Sequence, residues 1–341
     1  MKAIVCRTYG SPDVLRFEDV QKPVVADDGV LVRVHAASVN PADFFTLTPV
    51  ARITRLVAER FKPKPAVLGT DFAGIIEQVG KHVTEFRQGD AVFGGAGTAF
   101  GKRGAFAEYV CVREQGVLVR KPGNISFEQA AAVPIAGITA LQALRDHGRL
   151  QPGQNVLING ASGGVGTFAV QLAKAFGANV TGVCSTMNIE TAQSIGADRV
   201  IDYTKEDFTR SGQKYELMVD VAGNRSWSEC TRILGPNATF VAIGSAALQR
   251  DGGAGRALTR TASLLVRSVG GSRKLVVFIA RLNKPDLVVL QELLEAGRIR
   301  PVIDREYALD EVPAALRYLQ AGHAKGKIVI TVARMNQRSG R

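Results

Sequence analysis

Apolar and polar positions along the chain change rhythm twice. From Met1 to about Lys121, short runs such as "GVLVRVHAASV", "FAGIIEQVG" and "AFAEYVCV" alternate and stop at Gly, Pro and Asp. That pattern predicts a compact β-rich unit of half-buried strands. From Pro122 to about Leu282, near-continuous apolar runs ("NVLING", "NVTGVC", "RVID", "LMVDVA", "TFVAIG", "LVVFI") are separated by segments of helix length. Strands of this kind belong to βαβ units and a mostly parallel sheet covered on both faces. Further on, "NKPDLVVLQELLEAGRIRPVI" reads as a helix ending at Gly297, and "EVPAALRYLQAGHAKGKIVITV" as another helix and a closing strand. The basic tail "ARMNQRSGR" is expected to fray. The fold class predicted is therefore α/β.

The most informative stretch is "NVLINGASGGVGTFAVQLAKAFGANVTGVCST". Val156 to Ile158 read as the end of a strand, Gly160 to Gly166 as a turn, and Thr167 to Phe176 as a helix. Strand, glycine turn and helix N-terminus together present backbone N–H groups and the positive end of a helix dipole, which suits a pyrophosphate. Ala161-Ser162-Gly163-Gly164-Val165-Gly166 nearly meets the G-x-G-x-x-G fingerprint, with Ala161 where the first glycine is usual and Gly160 just before it. A merely structural turn is the alternative. The second strand ends in Ser185, Thr186 and Asn188 with no acid until Glu190. An acid there would accept from ribose hydroxyls and repel a 2′-phosphate, so hydroxyl and amide donors favour NADPH. Tyr203 and Lys205, just past the third strand, are candidates to flank the adenine and its phosphate.

Composition limits the alternatives. With 341 residues, two domains are the default, and no segment approaches the ~18 apolar residues of a membrane span. The opening residues lack the apolar core of a signal peptide, so a cytoplasmic location is expected. Cys6, Cys111, Cys184 and Cys230 are scattered, as are the four histidines, and neither set has metal-site spacing. Half of the net charge of +12 lies between Arg250 and Arg281, where Arg250, Arg256, Arg260, Arg267, Arg273, Lys274 and Arg281 stand against one acid, Asp251. That stripe over 250–281 is either a solvated helix face or a peripheral contact with an anionic membrane. Nucleic acid is disfavoured, because aromatics are 6% of the chain and none interleave with the patch.

Taken in order, "ASVNPADFF", "LGTDFAGIIEQVG", "GAFAEYV", "VPIAGITALQAL", "NGASGGVG" and "IGADRVIDY" resemble the zinc-independent quinone oxidoreductase branch of the medium-chain dehydrogenase/reductase superfamily across nearly the whole chain. The resemblance implies a GroES-like catalytic domain from 1–121 and 283–341, and a Rossmann NADP-binding domain from 122–282. It also implies hydride transfer from NADPH to a quinone or to the C=C of an α,β-unsaturated carbonyl. Zinc-dependent relatives carry a Cys-Gly-Ser/Thr-Asp motif where this chain has Val39-Asn40-Pro41-Ala42-Asp43, and Gly-His-Glu where it has Gly69-Thr70-Asp71. Relatives also often place Lys or Arg near Met187, which cannot pair with phosphate.

By the same resemblance, Asn40 belongs near the nicotinamide, where it can bond cofactor or substrate. Phe45 stands where some relatives have tyrosine, and Thr139 matches a helix-start threonine that approaches the nicotinamide. Asp43 reads as a cap of the following turn. Gly244 and Ser245 fall at a strand's carboxyl end facing the cofactor cleft. The run Leu275 to Ile279 offers an edge for a homodimer, and Leu47 to Val67 a lid suited to a bulky apolar acceptor. Two other classes remain open at this level: a non-catalytic, membrane-associated NADPH-binding regulator, and a nucleic-acid binder on a dehydrogenase scaffold.

Overall fold

The computed structural model describes residues 1–45, 47, 66–96, 104–243, 272–322 and 324–332. The first eight strands are β1 (Lys2–Cys6), β2 (Arg16–Asp19), β3 (Gly29–Val39), β4 (Ala66–Val67), β5 (Asp71–Val79), β6 (Ala91–Gly95), β7 (Tyr109–Arg113) and β8 (Val117–Arg120). A parallel series follows: β9 (Asn155–Asn159), β10 (Asn179–Cys184), β11 (Arg199–Asp202), β12 (Tyr215–Asp220), β13 (Leu234–Ile243) and β14 (Lys274–Phe278). The chain closes with β15 (Ile303–Ala308) and β16 (Lys327–Thr331).

The parallel strands form one sheet in the order β11-β10-β9-β12-β13-β14, with every pairing parallel. The order reverses direction beside β9, which is where doubly wound sheets open a ligand crevice at the carboxyl ends of their strands. Both faces are covered, and the sequence shows why its apolar runs are unbroken. Val156 and Ile158 of β9 enter one apolar core while Leu157 enters another, and Phe240 and Val241 of β13 divide in the same way. Every second side chain has a different core, so neither set is polar.

Strands β15-β16-β3-β5-β6-β8 form a second sheet, with β7 also paired to β3. Here β16 runs antiparallel to β3, so the last strand of the chain lies against the eleven-residue strand that leads to Asn40. The helix Lys284–Glu295 starts at an Asn283 side-chain cap and ends before Gly297, whose φ of 65° lets the chain leave in the left-handed region. Leu287, Leu290 and Leu294 on this helix join the core beneath the parallel sheet, while Val312 and Leu316 of the helix Val312–Gln320 join the core of the antiparallel sheet. Residues 48–65 of the lid segment, Gly244, Ser245, most of the basic stripe and the basic tail lie outside the described residues.

Candidate functional site at the glycine loop and the buried lysine

The glycine loop follows β9, and its helix begins at Gly164, three residues earlier than the sequence reading placed it. The reason is steric. Gly166 lies in the first helical turn, where a Cβ would stand 2.0 Å from the Gly160 carbonyl oxygen, so only glycine lets helix and loop pack this closely. Gly160 has φ +90° and takes the left-handed conformation of the turn. Its place just before Ala161 frees that position from the need for glycine, which accounts for the departure from the fingerprint. The N–H groups of Gly160 and Ala161 bond the Val183 carbonyl and fix the loop to β10. The helix start at Gly163 has no side-chain cap, so its first N–H groups are left for an anion. Ser162, Gly163, Gly164 and Val165 line this end, and the residues fit a pyrophosphate.

At the end of β10 the arrangement departs from expectation. No acid follows in sequence, yet the parallel register places Asp202 of β11 beside Cys184. Asp202 accepts hydrogen bonds from the Thr186 hydroxyl and from the Thr204 N–H and hydroxyl, with Lys205 Nζ at 3.7 Å. Led by the Thr186 bond, these contacts pull its pKa down to about 2. Thr186 and Lys205, read as phosphate donors, are therefore both turned toward this carboxylate. Asn188 donates to the hydroxyls of Ser162 and Ser185 and so ties the loop to the end of β10, while its Oδ1 is buried without a partner. Tyr203 and Met187 are exposed beside them.

Between the antiparallel sheet and the loop lies a buried polar cluster. Asn40 is 1% exposed, and its Nδ2 donates to Asp71 Oδ2 at 2.9 Å and to the Ser38 carbonyl at 3.3 Å. Lys327 Nζ donates to Asn40 Oδ1 at 2.5 Å and to the Val39 carbonyl at 3.3 Å. Asp71 also accepts from the Ser38 hydroxyl and from the Ile135 N–H. Burial raises the Asp71 carboxyl against the pull of Lys327, and burial lowers the Lys327 ammonium against the pull of Asp71. Asp43 accepts from the Asn40 N–H, closing the turn of the helix Pro41–Phe45, and burial pushes its pKa up to about 7. Both Nδ2 hydrogens of Asn40 are spent within the protein, so what it does for a ligand it does mainly by shape.

Thr139 does not start its helix. It is the sixth residue of the helix Pro134–Gln142, 5% exposed, and its hydroxyl donates back to the Ile135 carbonyl at 2.6 Å. This is the i−4 bond of an interior threonine, neither a cap nor a free donor. Phe45 lies in the helix Pro41–Phe45. Asp71, Ser38, Lys327 and Asp202 were missed from sequence as site residues. The available signal for Lys327 was a lysine heading an otherwise apolar strand, "KIVIT", all of it buried.

The chain matches the alcohol dehydrogenase GroES-like domain over residues 26–123 and the zinc-binding dehydrogenase domain over residues 195–330. It is 36% identical to 2-methylene-furan-3-one reductase of Solanum lycopersicum over 97% of this chain and 79% of that protein. Its identity to the chloroplastic NADPH-dependent alkenal/one oxidoreductase of Arabidopsis thaliana is 33%, over 97% of this chain and 79% of the other. The solved quinone oxidoreductase of Coxiella burnetii superposes with a TM-score of 0.81 at 32% identity, covering 97% of this chain and 99% of that one. The chain belongs to the medium-chain dehydrogenase/reductase superfamily, in its quinone oxidoreductase-like branch.

The zinc implied by the second domain description does not fit the residues present. Where zinc-dependent relatives hold thiolate and imidazole, this chain has an amide at Asn40 and a hydroxyl at Thr70, and the neighbouring carboxylate of Asp71 is engaged by Ser38, Asn40 and Ile135. Among the described residues, no group of three or more His, Cys, Asp or Glu is arranged to hold a metal ion. No described helix is long and apolar enough to cross a membrane. An open groove of about 450 Å³ lined by Lys174, Ser194, Arg298 and Arg300 sits at the opposite end of the helix Gly164–Ala175 from the glycine loop, away from this chemistry.

Proposed function

We propose that this oxidoreductase uses NADPH to reduce a quinone or the C=C of an α,β-unsaturated carbonyl, without zinc. The observation that carries the reading is the juxtaposition of an uncapped glycine-loop helix start with the buried Lys327–Asn40–Asp71 cluster, which meets it at Gly164. NADPH, when bound, supplies the hydride. Gly160, Ala161, Ser162, Gly163, Gly164, Val165 and Gly166 would hold its pyrophosphate. Ser185, Asn188, Tyr203 and Lys205 would meet the adenosine end.

NADPH is favoured over NADH because both oxygens of Asp202 already accept from Thr186 and Thr204 and so are not open to ribose hydroxyls. The exposed pairing of Lys205 is weak enough to yield to a phosphate. Thr139 and Asn40 shape the nicotinamide end, where orientation of the reacting carbons supplies most of the rate, and solvent returns the proton to the reduced acceptor. Further parts of this reading are a cytoplasmic location and a homodimer built on the edge strand β14, just past which Ile279 is 87% exposed.

The test is loss of reduced-nicotinamide absorbance with a quinone and an alkenal in parallel, with and without chelator. Turnover that survives chelation, with kcat/KM for NADPH at least about tenfold above that for NADH (~1.4 kcal/mol), is the expected result. Lys205→Ala and Asn188→Ala should each narrow that preference. Tight NADPH binding without turnover on either acceptor would sink the reductase reading in favour of a regulatory one.

A further inference from the structure

Lys327 is a lysine that the protein has taken almost wholly out of water. It is 3% exposed at the head of β16, beside Asp71, which is fully buried. Burying a cation is costly unless it is paired and hydrogen-bonded. The pairing here is specific: Nζ meets Asn40 Oδ1, the Val39 carbonyl and, at 3.8 Å, Asp71 Oδ2. Because an ammonium only donates, it fixes which end of the Asn40 amide faces it and turns Nδ2 toward Asp71 and the Ser38 carbonyl.

The stem of the same side chain reaches the cofactor loop. A Cβ at Gly164, the first residue of the loop helix, would stand 3.1 Å from Lys327 Cδ and 3.4 Å from the Gly326 carbonyl oxygen. On its other side, Asp71 Oδ1 accepts the Ile135 N–H near the start of the helix that carries Thr139. One lysine thus touches the glycine loop, sets the Asn40 amide and balances the carboxylate that anchors the Thr139 helix.

We propose that Lys327 is a positioning residue of the reductase, its ammonium locking Asn40 and Asp71 while its stem sets how closely the glycine loop approaches the antiparallel sheet. This rests on the reductase reading. Without the ammonium, Asp71 has no cation within the cluster and the Asn40 amide is released; without the stem as well, the loop loses its stop. The cofactor would still bind, its pyrophosphate held by the loop, but its reacting carbon would be out of line with the acceptor.

The experiment compares wild type with Lys327→Met, Asp71→Asn and the double variant. Lys327→Met is expected to lower kcat at least about tenfold while the KM for NADPH moves by less than about threefold, the split expected of lost alignment. The primary isotope effect with NADPH deuterated at the transferred position should rise, because hydride transfer becomes slower relative to product release. The double variant should be no slower than Lys327→Met, since the two side chains act as a unit.

Wild-type kcat and isotope effect in a folded Lys327→Met protein would overturn the proposal, as would independent, additive losses in the double variant. If Lys327→Met does not fold, the double variant, which removes both members of the buried Lys327–Asp71 pair, carries the test on kcat by itself. Hydrogen exchange at the amides of Gly163 to Phe168 separates this inference from the reductase reading. Faster exchange there in Lys327→Ala, which removes the stem that Lys327→Met keeps, with β9 unchanged, is expected whether or not wild type turns over, and unchanged exchange counts against the proposal.

Discussion

Two glycines of one loop should fail in opposite ways. At Gly166 a Cβ would sit 2.0 Å from the Gly160 oxygen and 2.8 Å from its carbonyl carbon, against a minimum near 3.0 Å for real Cβ contacts. Those atoms are backbone, so the helix must move off the loop by about 1 Å. Overpacking of that kind costs ~1–3 kcal/mol, which lowers Tm by roughly 2–10 °C in a domain of this size. At Gly163 the nearest such atom is 3.6 Å away and φ is −82°, so alanine is accommodated in the free protein. Its Cβ projects instead at the uncapped helix start, where the pyrophosphate backbone must come close. Gly163→Ala should therefore change Tm by less than about 2 °C and weaken NADPH at least about tenfold, ~1.4 kcal/mol. Gly166→Ala should do the reverse in proportion, losing stability first. Differential scanning calorimetry and NADPH fluorescence titration on the same preparations read both quantities. Wild-type NADPH affinity in Gly163→Ala would refute the assignment of this loop to the cofactor.

Two further outcomes follow from the described contacts. Asp286, buried beside the helix Pro134–Gln142, accepts from Gln142, Arg145 and Asn283. Asp286→Ala should cost about 2–3 kcal/mol in a denaturant titration, less than for a fully buried pair because Arg145 can turn to water. The acid limb of stability should fall below the ordinary carboxylate range. Asp202 is held at about 2 against a usual 3.8 and Asp286 is also lowered, so folding binds fewer protons than the unfolded chain. Their stabilisation is complete above pH ~4 and disappears as pH falls toward 2. Asp202→Asn should flatten that limb in a Tm-against-pH series, and an unchanged limb would show that its hydrogen bonds do not persist in solution.

Much of the fold was legible because burial on two faces leaves a direct record in sequence. The apolar runs "VLI" of β9 and "FVAI" of β13 read as strands covered on both sides, and the strand, glycine and helix sequence after Asn155 marked a loop suited to a pyrophosphate. Even the alanine at position 161 had its explanation one residue away, in the positive φ of Gly160. These are local relations, fixed by sterics within a few residues.

What the tertiary structure decided are relations between strands far apart in the chain. Nothing in "GVCSTMN" announces an acid, because Asp202 arrives from the next strand through the register that pairs it with Cys184. Thr139 read as a helix start because its helix boundary depends on Pro134 and on the Ile135 N–H meeting Asp71. Asn40 and Lys327 are 287 positions apart, and β16 closing against β3 brings them within hydrogen-bond reach. Sequence determined which residues could form a strand, a turn or a helix start, since those depend on neighbours along the chain. Only packing decided which charge sits beside which carboxylate, because a buried ion is tolerated solely where the fold delivers its partners.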